Sequence, residues 1–265
     1  MRIRNAHTLL FAFPILFITL IISVTAQQQR QGAPPASASP ATTAAAATPS
    51  RSKVVITANS TPQELARAAF EAHGGDKFRS LQNIVLLGSV DVYSSTLPTT
   101  LSGKFAMITA GERYRLEVQV PGAPLIRQIF DGQQAYSSIP RAEIPPPSKF
   151  GFYVLNNYDR TGYAVTALPD KKKQRAFRIT DPEGNATDFY IDATTGRVIG
   201  YLYKFRNLSF GFENKSFKEI DGVVLPTAFS QKLELAGNAY YVEMKAKDVK
   251  VNQPLDADVF AIPAQ

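Results

Sequence analysis

From Asn83 to Val251 apolar and polar residues alternate with a period of two, and turn-forming residues interrupt the pattern at short intervals. In Tyr240–Val249, for example, Tyr240, Val242, Met244 and Ala246 share one face, while Tyr241, Glu243, Lys245 and Lys247 share the other. That periodicity marks a strand with one covered face. Twelve strands are predicted, near Asn83–Tyr93, Leu101–Thr109, Arg113–Val120, Leu125–Phe130, Gln134–Ser138, Tyr163–Leu168, Arg175–Thr180, Thr187–Ile191, Arg197–Phe205, Leu208–Ile220, Val223–Leu235 and Tyr240–Val251. The breaks carry turn residues such as Gly111, Pro121-Gly122, Asp131-Gly132, Pro182-Glu183-Gly184-Asn185, Thr195-Gly196 and Asp221-Gly222. Parallel pairing needs crossovers of a dozen or more residues, so connections this short predict an antiparallel meander.

Some strands are apolar on both sides. Ile199, Tyr201, Tyr203 and Phe205 face one way in Arg197–Phe205, with Val198 and Leu202 opposite. Asn83–Tyr93 sets Ile84, Leu86, Val90 and Val92 against Val85, Leu87 and Tyr93. Part of the sheet is therefore expected to be covered on both faces. One helix is predicted ahead of the strands. Thr61-Pro62-Gln63-Glu64 forms a capping box with Pro at the first helical position. Leu65, Ala68, Ala69 and Ala72 follow at helical spacing, and His73-Gly74-Gly75 ends the run. Asp76 to Leu81 is a further short turn. Ile139 to Asp159 breaks the strand rhythm with three consecutive prolines and an aromatic patch of Phe150, Phe152 and Tyr153 beside Leu155. A long insertion of this kind is expected to be a functional flap, here a lid or short helix over one sheet face.

Residues 1–26 have the form of a secretory signal: Arg2 and Arg4, an apolar run from Leu9 to Val24, and Val24-Thr25-Ala26 for cleavage. The alternative is an uncleaved membrane anchor. Residues 27–52 are Ala/Pro/Ser/Thr-rich and cannot build a core, so they are assigned as a linker, and 53–265 as one β-domain. The net charge of +7 changes little once divided. Four Arg and no acid lie in residues 1–52, which leaves 25 basic and 22 acidic residues in the domain. That balance argues against a nucleic-acid partner. Lys171-Lys172-Lys173 with Arg175 is read as a solvated hairpin tip, the alternative being contact with an anionic membrane surface. The chain has no Cys, so no disulfide holds the exported fold.

Reactive chemistry is sparse. Beyond the signal the chain holds a single His, His73, read as a helix cap or surface residue. No nucleotide-binding or nucleophile-elbow motif is present, and no cofactor or metal is expected. A calcium loop at Asp181–Asn185 is weighed against a plain hairpin turn, and the turn is preferred. A hydrolase using carboxylates from distant strands is the remaining enzymatic alternative.

Ile191-Asp192-Ala193-Thr194-Thr195-Gly196, the run Phe217 to Pro226, the run Val249 to Phe260, and Phe130-Asp131-Gly132 with Tyr136 together resemble the periplasmic outer-membrane lipoprotein-sorting (LolA/LolB-like) superfamily. The resemblance implies a mainly β (α+β) fold: an antiparallel half-barrel of about a dozen strands, with the N-terminal helix and a lid segment on the concave side. It also implies a periplasmic role, with lipid acyl chains or lipidated proteins as partners. The expected lipid-binding lining is Phe105, Met107, Tyr114, Leu116, Tyr201, Tyr203, Phe205, Phe229, Leu233, Tyr240, Val242 and Met244, under a lid bearing Phe150, Phe152, Tyr153 and Leu155. The alternative on the same fold is an envelope sensor acting on a membrane-protein partner.

Overall fold

Thr61 starts the first helix, α1 (Pro62–Ala72), through the capping box that its sequence predicts. Its hydroxyl accepts from Glu64 N–H at 3.3 Å, and its own N–H donates to Glu64 Oε2 at 2.7 Å. Gly74 (φ 121°) and Gly75 (φ 57°) then turn the chain into α2 (Asp76–Arg79). The computed structural model describes residues 55–263 apart from 141, 172, 207, 236 and 237. The side chains of 233–235 and 238 are also outside the description. The predicted signal (1–26) and linker (27–52) fall outside the described residues.

Twelve strands follow: β1 (Ile84–Ser94), β2 (Leu101–Ala110), β3 (Arg113–Gln119), β4 (Ile126–Phe130), β5 (Ala135–Ser137), β6 (Ala164–Ala167), β7 (Gln174–Thr180), β8 (Ala186–Asp192), β9 (Val198–Phe205), β10 (Leu208–Ile220), β11 (Val223–Leu235) and β12 (Asn238–Val251). They form one antiparallel sheet in the order β5-β4-β3-β2-β1-β12-β11-β10-β9-β8-β7-β6. Every neighbouring pair is a sequence hairpin except β1 with β12, which joins a five-strand run to a seven-strand run. The sheet stays open, with β5 and β6 at opposite edges. This order decides where the lid lies. The chain leaves one edge at Ser137 and must reach the other at Ala164, so it has to cross a face of the sheet. On the way it forms a 3₁₀ turn (Pro147–Lys149) and α3 (Phe152–Asn156).

The crossed face is concave. Strands β2 and β11 are three places apart in the order, which is about 14 Å across a flat sheet. The rings of Phe105 on β2 and Phe229 on β11 nevertheless meet edge to face at 6.3 Å. The architecture is an open half-barrel, with α1 on β6, β7 and α3 inside it. Leu65, Ala69 and Phe70 of α1 join Val154 and Leu155 of α3, with Phe177, Ile179, Phe189, Ile191 and Val198 of the sheet, in the principal core.

Two features modify the simple alternation. Opposite Leu87/Gly88 the β1–β12 register slips by one residue, so Lys247 has no partner. The bulge reverses the parity of β12. Val242 and Met244 face the core before it, and Val249 and Val251 after it. The second feature lies on the convex side. There the C-terminal residues Leu255, Val259, Phe260 and Ile262 pack on Ile108, Ala110, Ile129 and Tyr136. This segment gives β2, β4 and β5 a second cover, whereas Leu87 and Tyr93 of β1 and Leu202 of β9, expected to be covered on that side, are exposed. The 181–185 turn is a hairpin tip, as its sequence predicts. Asp181 Oδ1 accepts the Glu183 and Asn185 N–H groups at 2.9 and 2.8 Å.

Candidate functional site

A cavity of about 650 Å³ lies between the concave face and the crossing segment. One wall is aliphatic: Leu86, Val92, Met107, Leu116, Val118 and Ile126, from strands β1 to β4. The facing wall is aromatic. Tyr201 and Tyr203 of β9 pair in register with Phe212 and Phe210 of β10, and the rings stack at 4.6 and 5.1 Å. Phe78 of α2 closes one side. Pro145, Pro146, Pro147, Phe150, Phe152 and Tyr153 roof it from the crossing segment.

The roof is fitted to the aromatic wall. Phe150 stacks on Tyr203 at 4.3 Å. Gly151 sits directly over Tyr201, where a β-carbon would come within 3.1 Å of the ring, and its φ of 60° also favours glycine. Phe152 meets His73, Phe78 and Tyr201 at 4.9, 5.7 and 5.9 Å, in edge-to-face contacts. Polar contacts hold the rim. Glu143 pairs with Arg206, and Lys149 with Glu183. Arg79 Nη2 donates to Asp159 Oδ1 at 2.7 Å, and the Tyr153 hydroxyl donates to Glu112 Oε1 at 3.1 Å.

Burial pushes the phenols of Tyr114, Tyr201 and Tyr203 well above their usual range near 10. All three line the cavity, Tyr201 and Tyr203 from β9 and Tyr114 from β3. All three are neutral hydroxyls at any physiological pH.

His73 is a helix cap, as expected, but it is no surface residue: it is wholly buried. Its Nδ1–H donates to Val224 O at 2.6 Å, and Nε2 accepts Val198 N–H at 3.0 Å. Desolvation lowers its pKa from 6.5 to about 4, so the ring is neutral at physiological pH, as the acceptor role of Nε2 requires.

Of the expected lining, Met107, Tyr114, Leu116, Tyr201, Tyr203, Phe229, Tyr240, Val242 and Met244 bound the cavity. Phe105 is buried beneath it, against Phe229. Phe205 stands outside it, edge-on to Phe150 at 6.1 Å. The Leu233 side chain is outside the described residues. Of the lid residues, Phe150, Phe152 and Tyr153 line the cavity, while Leu155 turns into the core against α1. The lining residues not anticipated include Leu86, Val118, Phe210 and Phe212. Phe210-Gly211-Phe212 was legible as an alternating aromatic pair, but placing it beside Tyr203 and Tyr201 required the β9–β10 register.

Among the described residues no group of three or more His, Asp or Glu is placed to hold a metal ion. Nor is any described helix long and apolar enough to cross a membrane. By sequence, the chain matches no protein-family model and no curated protein. Solved structures with a similar fold include a LolA superfamily protein from Nitrosomonas europaea, at 10% identity and a TM-score of 0.49, over 77% of this chain and 98% of that one. A DUF1329 family protein from Desulfovibrio piger is similar at 12% identity and a TM-score of 0.42, over 75% and 95% of the two chains. A domain named for outer membrane lipoprotein sorting, from Vibrio parahaemolyticus, is similar at 12% identity and a TM-score of 0.41, over 74% and 97%.

Proposed function

We propose that this protein binds the acyl chains of lipids or of lipidated proteins in the concave cavity and carries them through the periplasm. One observation carries the reading: a cavity of about 650 Å³, walled by apolar side chains from both strand runs and roofed by the protein's own crossing segment. Its volume lies in the range typical of small-ligand sites, about 300–1,000 Å³. An acyl chain gains about 0.8 kcal/mol for each methylene removed from water, or about 12 kcal/mol for a chain of about sixteen carbons. Transport needs no nucleophile, only an apolar sleeve and a way to open it. The rim pairs Glu143–Arg206 and Lys149–Glu183 are solvent-exposed, and exposed pairs hold with only about 0–1 kcal/mol each. A roof secured mainly by ring packing and weak ion pairs suits a container that must release its contents.

Titration with an acyl-chain fluorophore, together with native mass spectrometry of protein purified from a periplasm, tests this reading. Bound lipid and saturable fluorophore binding are expected. Met107→Trp, which projects bulk from the aliphatic wall into the cavity, should weaken fluorophore binding at least tenfold with the fold retained by circular dichroism. Absence of both co-purified lipid and fluorophore binding overturns the proposal.

A further inference from the structure

The aromatic wall carries more polarity than a hydrocarbon sleeve needs. Phe150, Phe210 and Phe212 show that plain phenyl rings pack there, yet Tyr201 and Tyr203 add hydroxyls on the same wall and Tyr114 adds a third from β3. A hydroxyl shut off from water without a partner costs about 1–3 kcal/mol, so a ligand that fills the cavity and excludes water must itself supply acceptors for these hydroxyls. On the surface, Tyr93 donates to Glu243 at 3.2 Å and Tyr153 to Glu112 at 3.1 Å. The three cavity hydroxyls have no hydrogen-bond partner among the described residues, and on half-buried side chains they stay open to the cavity, where a ligand acceptor can reach them. The Tyr201 and Tyr203 rings are nearly parallel, 6.3 Å apart on one strand face, so their hydroxyls project in the same sense.

We propose that Tyr114, Tyr201 and Tyr203 form a polar anchor that donates hydrogen bonds to the carbonyl oxygen of a neutral acyl ester or amide, with the hydrocarbon chain running along the aliphatic wall. This rests on the acyl-chain reading of the cavity and specifies the group at the end of the chain. A free carboxylate fits poorly. The other polar side chains on the sheet face of the cavity, such as Gln128 and Gln231, are uncharged. Arg79 is already committed to Asp159 and to the Asn156 carbonyl, and Arg160 is exposed. An ionised ligand headgroup among the tyrosines would be desolvated with no counter-charge.

The test compares the purified chain with its Tyr114→Phe/Tyr201→Phe/Tyr203→Phe variant, which loses three oxygens and keeps every ring. Displacement of an acyl-chain fluorophore is measured with methyl laurate, N-methyl lauramide, laurate and dodecane at pH 8. The variant should lose about tenfold in affinity for the ester and the amide, as expected for one or two neutral hydrogen bonds. It should bind dodecane unchanged, and the wild-type chain should bind laurate more weakly than methyl laurate. Ester against amide tells which carbonyl source is preferred. The three single variants, each expected to lose two- to threefold, serve if the triple variant does not fold. An equal effect on ester and dodecane, or none on either, overturns the anchor and leaves the acyl-chain reading standing. A drop in stability in every single variant also overturns it, since the protein itself would then be using the hydroxyls. Failure of the wild-type chain to bind any probe removes the acyl-chain reading and the anchor together.

Discussion

At the scale of single residues, His73 ties three elements. Its backbone carbonyl accepts Val224 N–H at 3.1 Å, its Nδ1–H donates to Val224 O, and its Nε2 accepts Val198 N–H. The end of α1 is thereby fixed to β11 and β9 beneath the cavity roof. The folded pKa of about 4 lies below the ordinary 6.5 because burial disfavours the charged ring. Between those values the unfolded chain takes up a proton that the folded chain refuses, so stability rises with pH. The His73 contribution is therefore complete above about pH 6.5 and is lost as pH falls through 4. Urea unfolding across that window should show a loss of about 3 kcal/mol from this group. His73→Leu should flatten that part of the profile. It should also cost about 2–4 kcal/mol at neutral pH, through an unpartnered Val198 N–H and Val224 carbonyl. The sequence marked His73 as a cap because Gly74 and Gly75 follow it. Its burial depends on strands well over a hundred residues away in sequence, which no local pattern encodes.

At the scale of elements, the crossing segment is held by two unequal kinds of contact. Phe150 is buried and stacked on Tyr203, while the ion pairs at Glu143 and Lys149 are exposed. Phe150→Ala removes a ring from a packed site, a change that costs about 3 kcal/mol or more. Much of that cost should fall on the roof alone, since the cores of α1 and the sheet do not depend on this ring. The expected outcome is accelerated limited proteolysis within residues 139–149, with a global unfolding midpoint that moves little. Glu143→Gln and Lys149→Met should change the cleavage rate only slightly. Three prolines followed by an aromatic patch were enough to identify this segment as a lid. They could not reveal that Leu155 belongs to the core, because that depends on α3 lying against α1. The strands themselves were readable from their period of two. Register shifts break that pattern: on β12 the bulge at Lys247 moves the buried set from even to odd positions, so a strict alternation starting at Tyr240 would assign Val249 and Val251 to solvent, and further shifts interrupt β10 between Asn214 and Phe217 and the β8–β9 pair at Tyr190/Ile191.

For the whole molecule, the decisive fact is the pairing of β1 with β12. It joins two hairpin runs into one sheet and sends β5 and β6 to opposite edges, and the lid then crosses by topological necessity. The sequence's hairpin signals specified the runs, but not which strands would meet between them. That pairing also divides the cavity walls: β1 to β4 supply the aliphatic side, and β9 and β10 the aromatic side. A ligand in the cavity would thus touch both runs as well as the segment that links their far edges. It should stabilise them as one unit, not one half alone. With methyl laurate at about a hundred times its Kd, the unfolding free energy should rise by about 2.7 kcal/mol. Far-UV ellipticity reports the sheet as a whole, and near-UV ellipticity reports the packed tyrosines, so the two should move upward together in a single transition. If the near-UV transition shifts while the far-UV transition stays, the bound chain touches the tyrosine wall without spanning to the aliphatic one. The cavity would then be a local aromatic site and not a sleeve shared by both runs.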